Sequence, residues 1–377
     1  MRRHDLDWLR VIAFGLLIFY HVGMFFVPWH FHLKNNHIYD WLRYPMLFLN
    51  QWRLPLLFVI SGMGTYFALR KKNGWQFAGE RILRLFVPLL FGMFMIVPPQ
   101  VYVERLAKHQ FAGGYFDFWP SQLFTGGSYP AGNFSWHHLW FLPYLLLFSL
   151  ILIPVLLFIK KKPGNALSAW VSRTIARPFG IFVFLIPLYF IEAFIEPFFP
   201  VNHALRGDWF TIINCCTLFF YGYLLMSARE AFWKAVITYR KRNLIIAIIA
   251  FSLLMIMDVS FEDSYLVHFT EALVKVLNFW AWILTLFGFA AVHLNKAGKF
   301  ISYANEAVYP FYILHQTIML IICYFIMDLH YGLLLKFTII VAGTFTGTLI
   351  IYELLIRRWI LIRPLFGLKI SRKNDDR

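Results

Sequence analysis

Cysteine is nearly missing from this sequence, and the little there is has no pattern. Cys215, Cys216 and Cys323 all fall inside apolar runs, without the spacing of a disulfide framework or a metal motif, and read as small buried residues. No cleavable leader is expected either. The basic start, Met1-Arg2-Arg3, precedes an apolar run too long for a signal peptide and without a small-residue cleavage site, so the first helix is expected to stay as an anchor. No basic stripe is left for nucleic acid. The formal net charge is +16, yet the basic residues sit in short clusters between apolar runs, where membrane topology accounts for them. No internal repeat or inverted symmetry is visible, which argues against a transporter built from repeats.

Apolar surface is what the chain has in abundance. Of 377 residues, 60% are hydrophobic and 20% aromatic, with 43 phenylalanines, the composition of a polytopic membrane protein rather than a soluble domain. The expected fold is an all-α integral membrane bundle of about ten transmembrane helices, near 8–28, 45–69, 84–103, 138–159, 178–198, 209–227, 244–259, 267–293, 304–327 and 332–356. Two of these are marginal, the second through Gln51, Arg53 and Pro55 and the tenth through Lys336 and Glu353. The connections alternate in charge. One side collects Arg70, Lys71 and Lys72, then Lys160, Lys161 and Lys162, Arg240 to Arg242, Lys296 and Lys299, and the tail from Arg357. The other holds only Lys34, Arg43, Arg105, Lys108 and Arg206, beside Glu262 and Asp263. Both termini are therefore expected in the cytoplasm, with residues 1–363 forming the transmembrane domain and 364–377 a short basic cytoplasmic tail.

Ionisable side chains inside such spans are costly, at about 2.5 to 3.5 kcal/mol on insertion scales, and each invites a functional reading. The first span carries two, Arg10 and His21, in DLDWLRVIAFGLLIFYH. They are eleven residues apart, hence on one helical face but about 16 Å apart along the axis. One small group cannot reach both; a long ligand lying along the helix can. Arg10 can also snorkel or pair with Asp7, and His21 can be a hydrogen-bonded interior histidine, although its ordinary pKa suits a general base. His315, after Pro310 in the ninth span, is a second proton-transfer or hydrogen-bonding candidate or a packing residue. Glu192 and Glu196, four apart, either orient an imidazole, bind acceptor hydroxyls or serve structure, and Glu271 with Lys275 are expected to neutralise each other. Arg53 needs a partner if buried. Arg81 and Arg84, one helical turn apart at the mouth of the third span, suit a phosphate-bearing ligand or simply mark topology.

Two connections on the less basic side are long. The first, 29–44, holds His30, His32 and His37; with neither cysteine nor carboxylate partners in view, the expectation is no metal. The second, 104–137, is dense in Gly, Pro and aromatics, and reads either as a lid whose rings pack on a sugar or as an interfacial anchor. His137 and His138, which open the fourth span, read as ordinary interfacial residues.

Several ordered segments together resemble the membrane-bound acyltransferase family 3. They are Leu6-Asp7-Trp8-Leu9-Arg10 followed after ten residues by His21, LFVISG at 57–62, the Arg81 and Arg84 pair, HLWFLPYLL from His138, and FYILH ending at His315. That family includes O-antigen acetylases, Nod-factor acyltransferases and glucan succinyltransferases of the glucan biosynthesis protein C type. The resemblance implies a ten-helix enzyme of the bacterial inner membrane. Such an enzyme takes an acyl group, acetyl or succinyl, from cytoplasmic acyl-coenzyme A and places it on a hydroxyl of an extracytoplasmic glycan. It implies Arg10 and His21 as the functional pair, Arg81 and Arg84 on the donor side, and a stand-alone member without an added hydrolase-like domain. Partners are then acyl-coenzyme A, a carbohydrate acceptor and the bilayer. No motif identifies an oxyanion-stabilising donor. The competing reading is a transporter or flippase whose polar path includes Arg10, His21 and His315.

Overall fold

The computed structural model describes residues 3–161, 165–260 and 264–370. Lys162, Glu262 and Asp263 of the charge argument, and residues 371–377 of the expected tail, lie outside the described residues. Among the described residues the chain is helical, and its only β feature is an isolated bridge between Ser128 and Phe134.

In chain order the helices are α1 (His4–Met24), α2 (Arg43–Lys71) and α3 (Gly74–Ala107), then α4 (His137–Ile151), α5 (Ile153–Lys161), α6 (Ala166–Ala176) and α7 (Gly180–Phe194). They continue as α8 (Trp209–Ser227), α9 (Arg229–Thr238), α10 (Arg240–Ser260), α11 (Tyr265–His293), α12 (Lys299–Ile326) and α13 (Leu333–Ile356). Eight are long and apolar enough to cross a membrane: α1, α2, α3, α8, α10, α11, α12 and α13. A ninth span arises if α4 and α5, bent by 48° at Leu152, count as one. The stretch expected as a span at 178–198 is a 3-10 turn, Gly180–Phe184, followed by ten α-helical residues, Leu185–Phe194.

The ends of α1 follow from local chemistry. Asp5 and Asp7 sit in its first turn, where the helix dipole favours negative charge. At its other end Lys34 donates to the carbonyl of Met24 at 2.7 Å, an acceptor the helix leaves open, and to that of Val27 just beyond the helix at 2.6 Å. Burial brings that ammonium down to about 8.

Prolines set the course of α3. Its backbone widens to π-helical turns at Ile82–Phe86 and Gly92–Ile96, each just ahead of a proline, Pro88 or Pro98. A proline has no N–H for the carbonyl four residues earlier and crowds it, so those carbonyls look elsewhere. The Arg84 carbonyl accepts from the Tyr309 hydroxyl at 2.9 Å, and the Phe94 carbonyl from the Trp119 indole at 3.0 Å.

Packing divides the chain into two compact units. The first comprises residues 1–13, 48–79 and 144–302. Within it α10 and α11 pack along each other, α7 and α9 pack on α11, and α2 meets α8 backbone to backbone. A Cβ on Gly62 would lie 1.9 Å from the Phe219 carbonyl oxygen, and one on Gly222 would lie 2.0 Å from that of Val59, so only glycine fits at either face. Buried Asp208 gathers the loop before α8: it accepts from Tyr144 and from Thr211 at 2.8 Å, and from the His203 amide at 2.9 Å. The second unit comprises residues 14–47, 80–143 and 303–377. Its core joins Val22, Phe25 and Phe26 of the first segment to Met319, Leu320 and Cys323 of α12 and Ile340 of α13. Here Lys336, marginal for a membrane span, is buried with its ammonium on Asn35 at 2.6 Å, Asn36 at 3.1 Å and the Met327 carbonyl at 2.9 Å. Glu353 is likewise engaged, by the Tyr303 hydroxyl at 2.6 Å and by Arg357 at 3.0 Å.

Candidate active site

His21 and His315 are brought together in the second unit. The Nδ1 of His21 lies 2.8 Å from the Nε2 of His315, with the rings parallel within 5°. The other nitrogen of His315 settles which ring donates. Its Nδ1 is 2.7 Å from the Tyr312 carbonyl and 3.1 Å from that of Phe311, and carbonyls only accept, so Nδ1 carries the proton. In a neutral His315, Nε2 is then the acceptor, and His21 must donate from Nδ1. The lone pair of the His21 ring is thereby assigned to its Nε2. His315 is fully buried and His21 half-buried, so the first is fixed by the protein and the second lies nearer the surface of the fold.

A buried polar network backs this pair, and sequence reasoning did not find it. His138 donates from Nε2 to the Ile313 carbonyl at 3.0 Å, two residues before His315, and its own carbonyl accepts from the Tyr312 hydroxyl at 2.6 Å. Gln100 donates to the Thr317 hydroxyl at 2.7 Å and accepts from Gln316 at 3.1 Å, while Thr317 donates to the Ile96 carbonyl at 2.7 Å. The ring of His138 meets that of His315 edge-on, with centroids 5.1 Å apart. Far from being an ordinary interfacial residue, His138 is buried in this network. The one visible sign in the sequence is Gln316-Thr317, two polar residues directly after His315 in an apolar helix.

On the other side His21 stacks against Phe31, with centroids 6.4 Å apart, and Phe31 leads to His32. His32 Nδ1 is 2.7 Å from Oε2 of the buried Glu104, the carboxylate that the sequence reading lacked for this stretch. Glu104 also accepts from Tyr129 at 3.0 Å and Lys108 at 2.5 Å. Burial first, and then the Glu104 carboxylate, hold the Tyr129 phenol above its ordinary pKa. His137 stacks on His32 at 4.4 Å between centroids. The long connection over these residues is folded on α3: Arg105 holds Asn133 at 3.0 Å and the carbonyls of Pro130 and Gly132, each at 2.8 Å.

The remaining residues singled out from the sequence fall elsewhere. Arg81 and Arg84 belong to the second unit, on and just after the first α-helical stretch of α3, and Arg84 is 3.5 Å from Glu80. Arg10, Arg53, Glu192 and Glu196 belong to the first unit. Arg10 is half-buried with Nη1 3.5 Å from Asp7, the pairing that its sequence allows. Arg53 is buried on α2. Glu271 and Lys275 do form their ion pair, at 2.9 Å. Glu192 on α7 interacts electrostatically with both of them and with Glu196 and His268, so it belongs to a charge cluster on α7 and α11. Glu196 lies in the turn beyond α7.

A family model described as "Acyltransferase domain" matches residues 3–353. Relatives named Glucans biosynthesis protein C, from Salmonella paratyphi A (strain ATCC 9150 / SARB42), Salmonella typhi and Salmonella agona (strain SL483), are each 23% identical over 389 residues, a match covering 100% of this chain and 97% of theirs. No solved structure matches.

Proposed function

The chain belongs to the acyltransferase family whose domain it carries, as a multi-pass membrane enzyme that transfers groups other than amino-acyl groups, and from that premise we propose that it moves an acyl group from cytoplasmic acyl-coenzyme A to a glycan hydroxyl on the far side of a bacterial inner membrane. The observation that carries the reading is the contact between His21 and His315. With Nδ1 donating to His315, His21 presents the lone pair of Nε2, the position from which a general base takes a hydroxyl proton. The acceptor oxygen then bonds to the thioester carbonyl carbon, the carbon–sulfur bond breaks, and the proton held on His21 passes to the departing thiolate. Family membership favours this over transport through a polar path.

Arg10, Arg81 and Arg84 are proposed on the donor side, holding the phosphates of the coenzyme, for which guanidinium groups are suited. Arg53, Glu192 and Glu196 are kept as supporting candidates, the two glutamates through the charge on α7 and α11. Ten crossings with both termini cytoplasmic are reached when the bent α4–α5 pair and α7 each cross once. That arrangement puts the basic connections inside, as the charge rule demands. The acyl group proposed is acetyl or succinyl. The relatives named for glucan biosynthesis support a glucan acceptor.

Mass spectrometry of envelope glycans tests this directly, in cells with the intact gene, without it, and with His21→Ala. Ester-sized mass increments seen only with the intact protein are expected, and they identify the acyl group. Identical glycans in all three strains, with the protein present in the membrane, overturn the reading.

A further inference from the structure

We propose that His32, Glu104 and His137 form a binding site for one divalent transition-metal ion of the zinc class, beside the histidine pair and independent of the acyl-transfer reading. Each residue offers a ligand atom, and these three atoms lie within 4.8 Å of one another. They come from three segments: the connection after α1, the end of α3, and the start of α4. Two imidazoles and a carboxylate are the donor set of open zinc sites, with the fourth position left to water or another oxygen. Ligand atoms around a tetrahedral ion sit roughly 3.3 Å apart, so closure needs a shift on the order of 1 Å.

Three observations favour an ion over a purely hydrogen-bonded cluster. The Nε2 of His137 is buried and has no hydrogen-bond partner among the described residues, a cost that a metal removes. His137 is also held at a φ of 42°, in the left-handed region, with its ring stacked on that of His32. Finally, the two oxygens of Glu104 are already divided. Oε2 faces His32, while Oε1 accepts from Tyr129 at 3.0 Å and Lys108 at 2.5 Å. Oε2 can therefore ligate while Oε1 keeps its partners, the outer-sphere support that ligating carboxylates use. Tyr129 also approaches Oε2, at 3.3 Å, and His32 Nδ1, at 3.5 Å. Binding takes the place of the hydrogen-bond contact between His32 and Glu104.

The consequence is positional. Phe31, the neighbour of His32, stacks on His21, and His138, the neighbour of His137, packs on His315. An ion here ties both flanks of the pair together.

The test uses the full chain in detergent, purified through a tag without histidines, stripped with a chelator and dialysed. Zinc is titrated against a competing chelating dye, and cobalt is added in parallel as a spectroscopic probe. One equivalent of zinc is expected, weakened about tenfold or more by His137→Ala and by Glu104→Gln but unaltered by His30→Ala, whose side chain is exposed. Cobalt is expected to give visible bands that stoichiometric zinc abolishes. This arm stands on the unaltered protein should a variant fail to fold. Absence of the bands, or zinc binding equal in the intact chain and a His32→Ala/His137→Ala variant, means an adventitious ion only and overturns the site. The acyl-transfer assay is separate, so either idea can fail without the other.

Discussion

A histidine can act as a base only from a ring nitrogen that carries no proton, and the contact that sets the tautomer of His21 comes from a residue 294 positions away in sequence. The Nδ1 of His315 is engaged by two backbone carbonyls, so in the neutral ring the remaining nitrogen accepts, and His21 turns Nδ1 toward it as donor. Replacing His315 with Phe keeps the ring volume and removes the acceptor. Transfer is expected to fall by roughly 10²- to 10⁴-fold, the usual worth of a positioned base, through kcat rather than the donor KM. His315→Gln, whose side-chain oxygen can still accept from His21, should recover part of the rate. Equal activity in His315→Phe and the unaltered enzyme would refute the positioning role, and equal loss in both variants would reduce it to packing. At this scale the sequence showed that His21 and His315 were anomalous in apolar helices, because the cost of burying polarity is local. Their contact was not legible, and neither was the backing by Gln100 and His138, because hydrogen-bond partners depend on tertiary approach rather than on spacing along the chain.

Among the helices, two glycines two residues apart on α2 have different jobs. Gly62 is pressed against the backbone of α8 at Phe219, whereas a Cβ on Gly64 would meet nothing within 4 Å. Gly64→Ala is therefore expected to be neutral or stabilising by about 0.5–1 kcal/mol, the entropy that glycine costs inside a helix. Gly62→Ala must push two helices apart and is expected to cost about 1–3 kcal/mol, with the same expectation for Gly222→Ala. Thermal unfolding in one detergent compares all three; a Gly62→Ala midpoint at or above that of Gly64→Ala would show that α2 and α8 do not pack so closely. Helix existence was legible from apolar run length, since crossing a bilayer needs a fixed length of apolar chain. Breaks and bends were legible in part. The break between α4 and α5 at Leu152 stands two residues before Pro154, and the π turns of α3 stand just ahead of Pro88 and Pro98, all in plain view, whereas the shortness of α7 was not legible in an apolar run of ordinary length.

For the whole molecule, charge is the only property that tells one end of the helices from the other, since the apolar runs themselves read the same in both directions. Basic residues cluster at alternate connections, and retention of Lys and Arg in the cytoplasm would orient every crossing. The orientation has a chemical corollary. If the connection 104–137 is extracytoplasmic, then Tyr129 and Arg105 face the compartment of the proposed acceptor, while Arg81 and Arg84 face that of the donor. Single cysteines test it in a chain whose three native cysteines are changed to alanine. Thr125 and Lys296 are both exposed, one in that long connection and one between α11 and α12. A membrane-impermeant maleimide added to spheroplasts is expected to label Thr125→Cys at once and Lys296→Cys only after permeabilisation. The reverse pattern would invert the topology and move the arginines away from cytoplasmic coenzyme A. Labelling of both sites from outside would mean an odd number of crossings fewer or more between them, and would count directly against the crossing of either the bent α4–α5 pair or the short α7.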